Sequence, residues 1–195
     1  MVDGLVGSEM CIRDRFKTAN EVYSEDYAGT IVATKREYDN ISGFLRFAKV
    51  LSHGEAYLNL SVNERAPDTT ELFHAKWNSS SAMMRHVGNP NLSNERHKTI
   101  EVGYEGMFMG SHITGSLFYN DVDDYITTHR RDDSAMKARL YKNVDASLYG
   151  YEITAHRVFA GIDTTLNLNY THADDDTQNR PLPQIMPLAG DLTFE

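Results

Sequence analysis

Met83-Met84-Arg85-His86 is the densest group of soft and borderline metal donors in the chain, and His74, His97, His129 and Met136 fall on or beside similarly long, polar connections. Thioether sulfur favours Cu(I) and imidazole suits Cu(II) and zinc, so this mixture fits copper better than magnesium or calcium. Met83, Met84, His86, His74 and Met136 are therefore the candidate metal ligands. Taken one at a time, the plainer roles are methionine as a gap-filler between packed loops and histidine as a solvated surface group. No other constellation promises chemistry. There is no nucleophile elbow, zinc-protease helix or phosphate-binding loop. Asp174-Asp175-Asp176 lacks the glycine and distal glutamate of a calcium loop and reads as a solvated tip. No catalytic residue and no resident cofactor is expected.

The elements that must carry these residues are strands. Six runs alternate in polarity: 41–51, 55–64, 97–106, 111–127, 140–158 and 162–172, with a seventh starting at Pro187. Ile100, Val102 and Tyr104 share one face of their run, while Thr99, Glu101, Gly103 and Glu105 share the other; that period of two is the strand signature. Phe118 breaks the pattern by falling on a polar side. Connections alternate between tight (Ser52-His53-Gly54, Met107-Phe108-Met109-Gly110, Phe159-Ala160-Gly161) and long (65–96, 128–139, 173–186). Within the first long one, Asp68 and Glu71 have capping-box spacing for a short helix. Upstream, 16–40 is polar and mixed, with a possible strand from Tyr27 to Thr34.

Alternation alone also fits a soluble sandwich with one wet face. Loop parity does not, since short turns on one side and long loops on the other belong to outer-membrane barrels. Runs as long as 111–127 suit tilted strands that cross a bilayer in about 9–11 residues and continue beyond it. Tyr104, Tyr119, Tyr125, Tyr141, Tyr149 and Tyr170 lie towards strand ends, as interfacial girdles require. Glu101, Glu105, Thr114, Ser116, Glu152, Thr154 and His156 would face a wet lumen, and Asp121, Asp123 and Asp124 its rim. The expected fold is all-β: an antiparallel up-and-down meander, a fragment of a transmembrane barrel of about 22 strands. No segment approaches the roughly 18 apolar residues of a transmembrane helix, and a negative mean hydropathy is natural when only alternate residues meet lipid. The net charge of −9 and the absence of a basic patch argue against nucleic acid as a partner.

The first fifteen residues stand apart. Leu5-Val6-Gly7-Ser8-Glu9-Met10-Cys11-Ile12-Arg13-Asp14, with Arg15, resembles the in-frame translation of a transposase-type sequencing adapter. Residues 1–15 are accordingly expected to be an assembly artefact, and 16–195 a barrel portion truncated at both ends. The sole cysteine, Cys11, then falls outside the natural segment, and no disulfide or thiolate chemistry is expected.

Four stretches resemble the C-terminal half of TonB-dependent outer-membrane receptor barrels: Asn63-Glu64-Arg65-Ala66-Pro67-Asp68-Thr69-Thr70-Glu71-Leu72-Phe73; Gly88-Asn89-Pro90-Asn91-Leu92 with Glu95; Asn143-Val144-Asp145-Ala146 with Leu148-Tyr149-Gly150 and Glu152; and Pro181-Leu182-Pro183-Gln184-Ile185-Met186-Pro187-Leu188, where Met186 replaces the usual proline. The copper-receptor branch is nearest, on Ser42-Gly43-Phe44-Leu45-Arg46-Phe47, Glu64-Arg65-Ala66-Pro67-Asp68 and Asn143-Val144-Asp145-Ala146, with Thr69-Thr70 standing where that branch has an aromatic pair. The resemblance implies an active importer of a metal ion or metal chelate, seated among outer-membrane lipid in a Gram-negative cell. It would be coupled to the inner-membrane TonB complex through an N-terminal plug upstream of this segment. A siderophore or other ligand is the alternative within the family; an outer-membrane barrel enzyme or a soluble sandwich binding module is the alternative outside it.

Overall fold

The computed structural model describes residues 12–22, 32–73, 86–131, 138–186 and 188–195. In chain order the elements are β1 (Ile12–Val22), β2 (Val32–Leu51), β3 (Gly54–Arg65), helix α1 (Thr69–Phe73), β4 (His86–Val87), β5 (Glu95–Phe108), β6 (Ser111–Arg131), β7 (Ala138–Phe159), β8 (Ile162–Asp175), β9 (Arg180–Pro181) and β10 (Ala189–Phe194). The main path β1-β2-β3-β5-β6-β7-β8-β10 is an antiparallel meander in one sheet. Two short strands depart from it: β4 pairs in parallel with β7, and β9 pairs antiparallel with β8. Strands run longer than alternation alone suggests, because ladder hydrogen bonds continue past the apolar band. β1 is the larger difference, since it occupies a stretch whose mixed polarity gives no period, and it pairs Phe16–Val22 against Val32–Tyr38. Ile12–Arg15 continue the same ladder.

Register explains the alternation. Leu45, Leu60, Ile100, Tyr119 and Tyr149 form one cross-strand row and Phe47, Leu58, Val102, Leu117, Tyr151 and Tyr170 the next, all on one face. Among the described residues nothing covers this face, so Leu117 is 58% exposed and Ile100 45%. The opposite face carries Arg46, Asn59, Glu101, Ser116, Glu152 and Asn169. Phe118, out of pattern in the sequence, lies on that polar face opposite Gly150. A side-chain carbon at Gly150 would stand 2.9 Å from the Phe118 ring and collide with the Tyr170 carbonyl oxygen. The ring covers a glycine that must stay bare. Tyr57 covers Gly103 in the same way, one strand pair over.

The tight ends are two-residue turns. Met109-Gly110 and Ala160-Gly161 both have positive φ (51° and 79°; 52° and 83°), the turn whose twist matches the flanking strands. At the other end the sheet gains its only buried clusters among the described residues. Val122, Ala146, Ala173 and Leu182 form one, and Leu72, Leu92 and Ile126 the other.

Candidate functional site: the lumen wall and the upper rim

The polar face is a connected wall. Arg46 pairs with Glu55 at 2.9 Å and lies over the Tyr57 ring at 4.0 Å, while the Tyr57 hydroxyl donates to Glu101 at 2.8 Å. Further along, Thr154 donates to Asn167 at 2.9 Å and Asn167 to Asp191 at 3.0 Å. Near the tight turns, His156 meets Asp163 at 2.5 Å. Glu101, Glu105, Thr114, Ser116, Glu152, Thr154 and His156 thus share the face expected of them. Cross-paired polar side chains of this kind suit a hydrated surface that meets another polar surface.

The apolar face ends sharply. Beyond Val62, Ile100 and Tyr119 its rows continue as Glu64, Lys98, Arg96, Asp121 and Asp123. Lys98 sits between Asp121 at 3.2 Å and Asp123 at 2.8 Å, and these two carboxylates hold its ammonium pKa up. Asp121 and Asp123 therefore lie on the outer face above the apolar band, not on the lumen rim expected from sequence, because Asp121 pairs across from Lys98 and Asp123 from Arg96, on the face that carries Ile100 and Val102. Tyr125 is corrected too. Register shifts between Val122 and Tyr125, with Asp124 at a φ of 58°. That bulge inverts the alternation, so Tyr125 packs inward against the Val122 cluster instead of joining an interfacial girdle. Tyr141 packs with Leu72, Leu92 and Ile126, so it is not a girdle residue either.

The rim is fastened by the motifs that carry the family resemblance. Glu71 and Asp68 form the reciprocal capping box: Glu71 N–H donates to Asp68 at 2.7 Å and Asp68 N–H to Glu71 at 2.8 Å. Arg65 grips Glu71 through both terminal nitrogens, at 2.9 and 3.0 Å, and Glu95 through Nε at 2.7 Å. Glu95 is buried and also accepts from Ile126 N–H at 2.7 Å, on the stretch of β6 that β5 no longer pairs. Burial raises the Glu95 pKa, but Arg65, His97 and the Ile126 amide outweigh it and hold the carboxyl at about 2. The Arg65 guanidinium pKa is raised by the same contact with Glu95. Asn89 donates to the Tyr141 carbonyl at 3.1 Å, and Asn143 to the Asp124 carbonyl at 2.6 Å. Leu182 N–H donates to the Ala173 carbonyl at 2.9 Å as its side chain enters the Val122 cluster. These motifs are structural clamps, legible in sequence only as turn chemistry.

Of the expected metal ligands, His74, Met83, Met84 and Met136 lie outside the described residues. For His86 the backbone is described: β4 sets it beside Arg139 at the start of β7, three residues along the chain from Met136. Among the described residues no three His, Cys, Asp or Glu side chains converge to hold a metal ion. Sequence reasoning missed a cavity of about 340 Å³ at the rim, bounded by β6, β7 and the segment after β9, with Tyr125, Thr127, Thr128, Arg139, Tyr141 and Gln184 in its lining. Its lining residues come from three separate segments and from both faces of β6 and β7, which no spacing announces.

A single-layer antiparallel sheet, apolar outside and polar inside, with tight turns at one end and clamped long connections at the other, is a portion of a transmembrane β-barrel wall. A family model described as "TonB dependent receptor-like, beta-barrel" matches residues 13–195, and the chain belongs to that family. Solved structures similar to it include a copper transporter, OprC, at 23% identity and a TM-score of 0.77, covering 94% of this chain and 29% of that one. The siderophore receptor PirA from Pseudomonas aeruginosa matches at 17% identity and a TM-score of 0.60, covering 82% and 32%. The Serratia marcescens hemophore receptor HasR, solved with its hemophore HasA and heme, matches at 16% identity and 0.61, covering 95% and 36%. The chain thus spans about a third of the length of these barrels.

Proposed function

We propose that this segment belongs to an outer-membrane receptor that imports a metal ion or metal chelate by coupling to the inner-membrane TonB complex through a plug upstream, with copper as the favoured cargo. Residues 16–195 are its native part, and 1–15 are adapter-derived. The observation that carries the copper reading is the Met83-Met84-Arg85-His86 group on the long connection between β3 and β5. Its final residue is set beside β7, close in sequence to Met136. Thioether and imidazole donors together select copper over hard cations. The name of OprC, a copper transporter with a similar wall fold, supports the same cargo. PirA and HasR stand beside it, and a siderophore or haem-type ligand is the alternative cargo that they favour. The polar wall of Glu101, Glu105, Thr114, Ser116, Glu152 and Thr154 would line the cavity around the plug, and no step in this scheme breaks a covalent bond.

Joint replacement of Met83, Met84 and His86 by alanine in the complete receptor tests this reading. Copper affinity, measured by equilibrium titration, is expected to fall at least tenfold while heat-modifiable gel migration stays unchanged. Unaltered copper affinity would remove these residues from the site. Unaltered uptake of every metal and metal chelate on gene deletion would sink the importer.

A further inference from the structure

The polar face carries a separate set of metal-type donors at its other end, beside the tight turns. Cross-strand register sets His112 on β6 directly opposite His156 on β7. Among the described residues these are the only two histidines paired across a ladder. The row runs on to Met107 on β5, opposite His112, and to Thr165 on β8, opposite His156. All four share the face of Glu105, Thr114 and Thr154. Residues directly opposite on antiparallel strands hold their Cβ atoms about 4.5–5.5 Å apart. A helical pair at i and i+4 has nearly the same separation, and two histidines so spaced grip one zinc ion. His156 Nε2 lies 2.5 Å from Asp163 Oδ1. With Nε2–H donating there, Nδ1 is the nitrogen left for a metal, the usual arrangement of a ligating histidine. His112 Nε2 stands 3.9 Å from Glu105 Oε1. That is longer than a hydrogen bond and leaves the ring room to turn. Both side chains are about half-exposed, so an ion in the lumen reaches them.

We propose that His112 and His156 chelate one divalent transition-metal ion, Cu(II) before Zn(II), at the tight-turn end of the lumen wall. Imidazole nitrogen suits both ions, and affinity for such donors peaks at Cu(II). The Met107 thioether at the end of the row adds a soft donor that hard cations do not use. Asp163 orients the His156 ring from behind. No third His, Cys, Asp or Glu converges on the pair among the described residues. Two protein nitrogens therefore hold the ion while its other positions stay open to water, the property of an exchangeable site rather than a closed structural one. Tight turns face the periplasm in outer-membrane barrels, so the pair stands where an ion leaves the lumen. The inference goes beyond the copper reading, because it uses none of Met83, Met84 and His86 and lies at the opposite end of the strands.

The test labels histidines of the complete receptor in detergent with diethylpyrocarbonate and reads each site by peptide mass spectrometry. Micromolar Cu(II) should slow labelling of His112 and His156 together at least tenfold, Zn(II) less so and Mg(II) not at all. His172, on the opposite face, is the reference and should keep its rate. In His112→Asn the protection of His156 should fall at least tenfold. His156→Asn gives the reciprocal reading at His112 if the first variant does not assemble, and heat-modifiable migration reports that the barrel is intact. Protection of each ring regardless of the other would mark two separate solvated histidines and overturn the proposal. So would equal protection by Mg(II), no protection by Cu(II), or rings closed to the reagent without metal, since such rings cannot exchange an ion. The joint alanine variant of Met83, Met84 and His86 should keep the protection, which separates failure of the extracellular copper group from failure of this site. Loss of protection in that variant would overturn a site at this end.

Discussion

Glu95 is the residue on which the rim depends most. Its carboxylate joins β3 through Arg65, β5 through His97 and β6 through the Ile126 amide, and it is almost fully buried. Its folded pKa of about 2 lies below the ordinary value of 4.5. A depressed acid contributes stability that is complete above the ordinary value and is lost as pH falls through the folded one. Protection of the Ile126 amide from hydrogen exchange, corrected for intrinsic rate, should therefore decline between about pH 5 and pH 2. Replacing Glu95 with alanine should destabilise the rim by roughly 1.5–3 kcal/mol, the usual range for bonds to charged groups. Pulse proteolysis of the long connections checks both, and a pH-independent protection factor would refute this account. Gly150 is the second decisive residue. Alanine there meets the Tyr170 carbonyl oxygen and the Phe118 ring, and overpacking of this kind costs about 1–3 kcal/mol. The temperature of heat-modifiable unfolding should drop in Gly150→Ala and recover in part when Phe118 is also made smaller. Phe118 shows what a single sequence conceals. Its position off the apolar face is visible in the alternation, but the glycine that explains it lies on another strand.

Among the elements, hairpins were the most legible, because turn chemistry is local. The tight turns fall at the expected places, and the capping box at Asp68 and Glu71 forms as spaced. Strand limits and β1 were not legible, because pairing beyond the apolar band rests on backbone bonds that leave no polarity pattern. The bulge at Asp124 was invisible for a related reason: one extra residue inverts every later side chain, and alternation read straight through it assigns Tyr125 to the wrong face. Turn geometry supplies a prediction at this scale. Ala160 holds a φ of 52° and nothing crowds Gly161, so Ala160→Asn should stabilise the β7–β8 hairpin by a few tenths of a kcal/mol, since asparagine tolerates this conformation. Gly161→Val should cost about 1–2 kcal/mol for the opposite reason. Unfolding in a urea series of the complete receptor reads both, and equal midpoints for the two variants would exclude the turn as a determinant.

For the molecule as a whole, two faces of one sheet face two solvents. Leu117 and Ser116 are neighbours in β6 but lie on opposite faces. Leu117→Arg should destabilise the barrel by about 2–4 kcal/mol near the bilayer midplane, whereas Ser116→Arg should be tolerated in a wet lumen. Folding free energies in lipid vesicles separate them, and equal penalties would contradict the assignment of faces. This scale was the most readable from sequence, because loop parity and alternation are global regularities that survive errors at any one strand. The candidate metal group was readable only as composition, since the stretches that carry it have no period.

The length of the central hairpin has an electrostatic consequence. β7 contains 22 residues, of which about half, from Ala138 to Leu148, rise beyond the outermost tyrosine row at Tyr149. At about 3.3 Å per residue and a tilt of roughly 40°, that stretch lifts the rim about 25 Å above the hydrocarbon. The Debye length in physiological salt is about 8 Å. The top of β7 therefore stands about three screening lengths from the edge of the hydrocarbon. The field felt by a charged molecule approaching the top of β7 is therefore set mainly by the receptor's own groups, so changing the charge of the surrounding lipid should alter its association rate little.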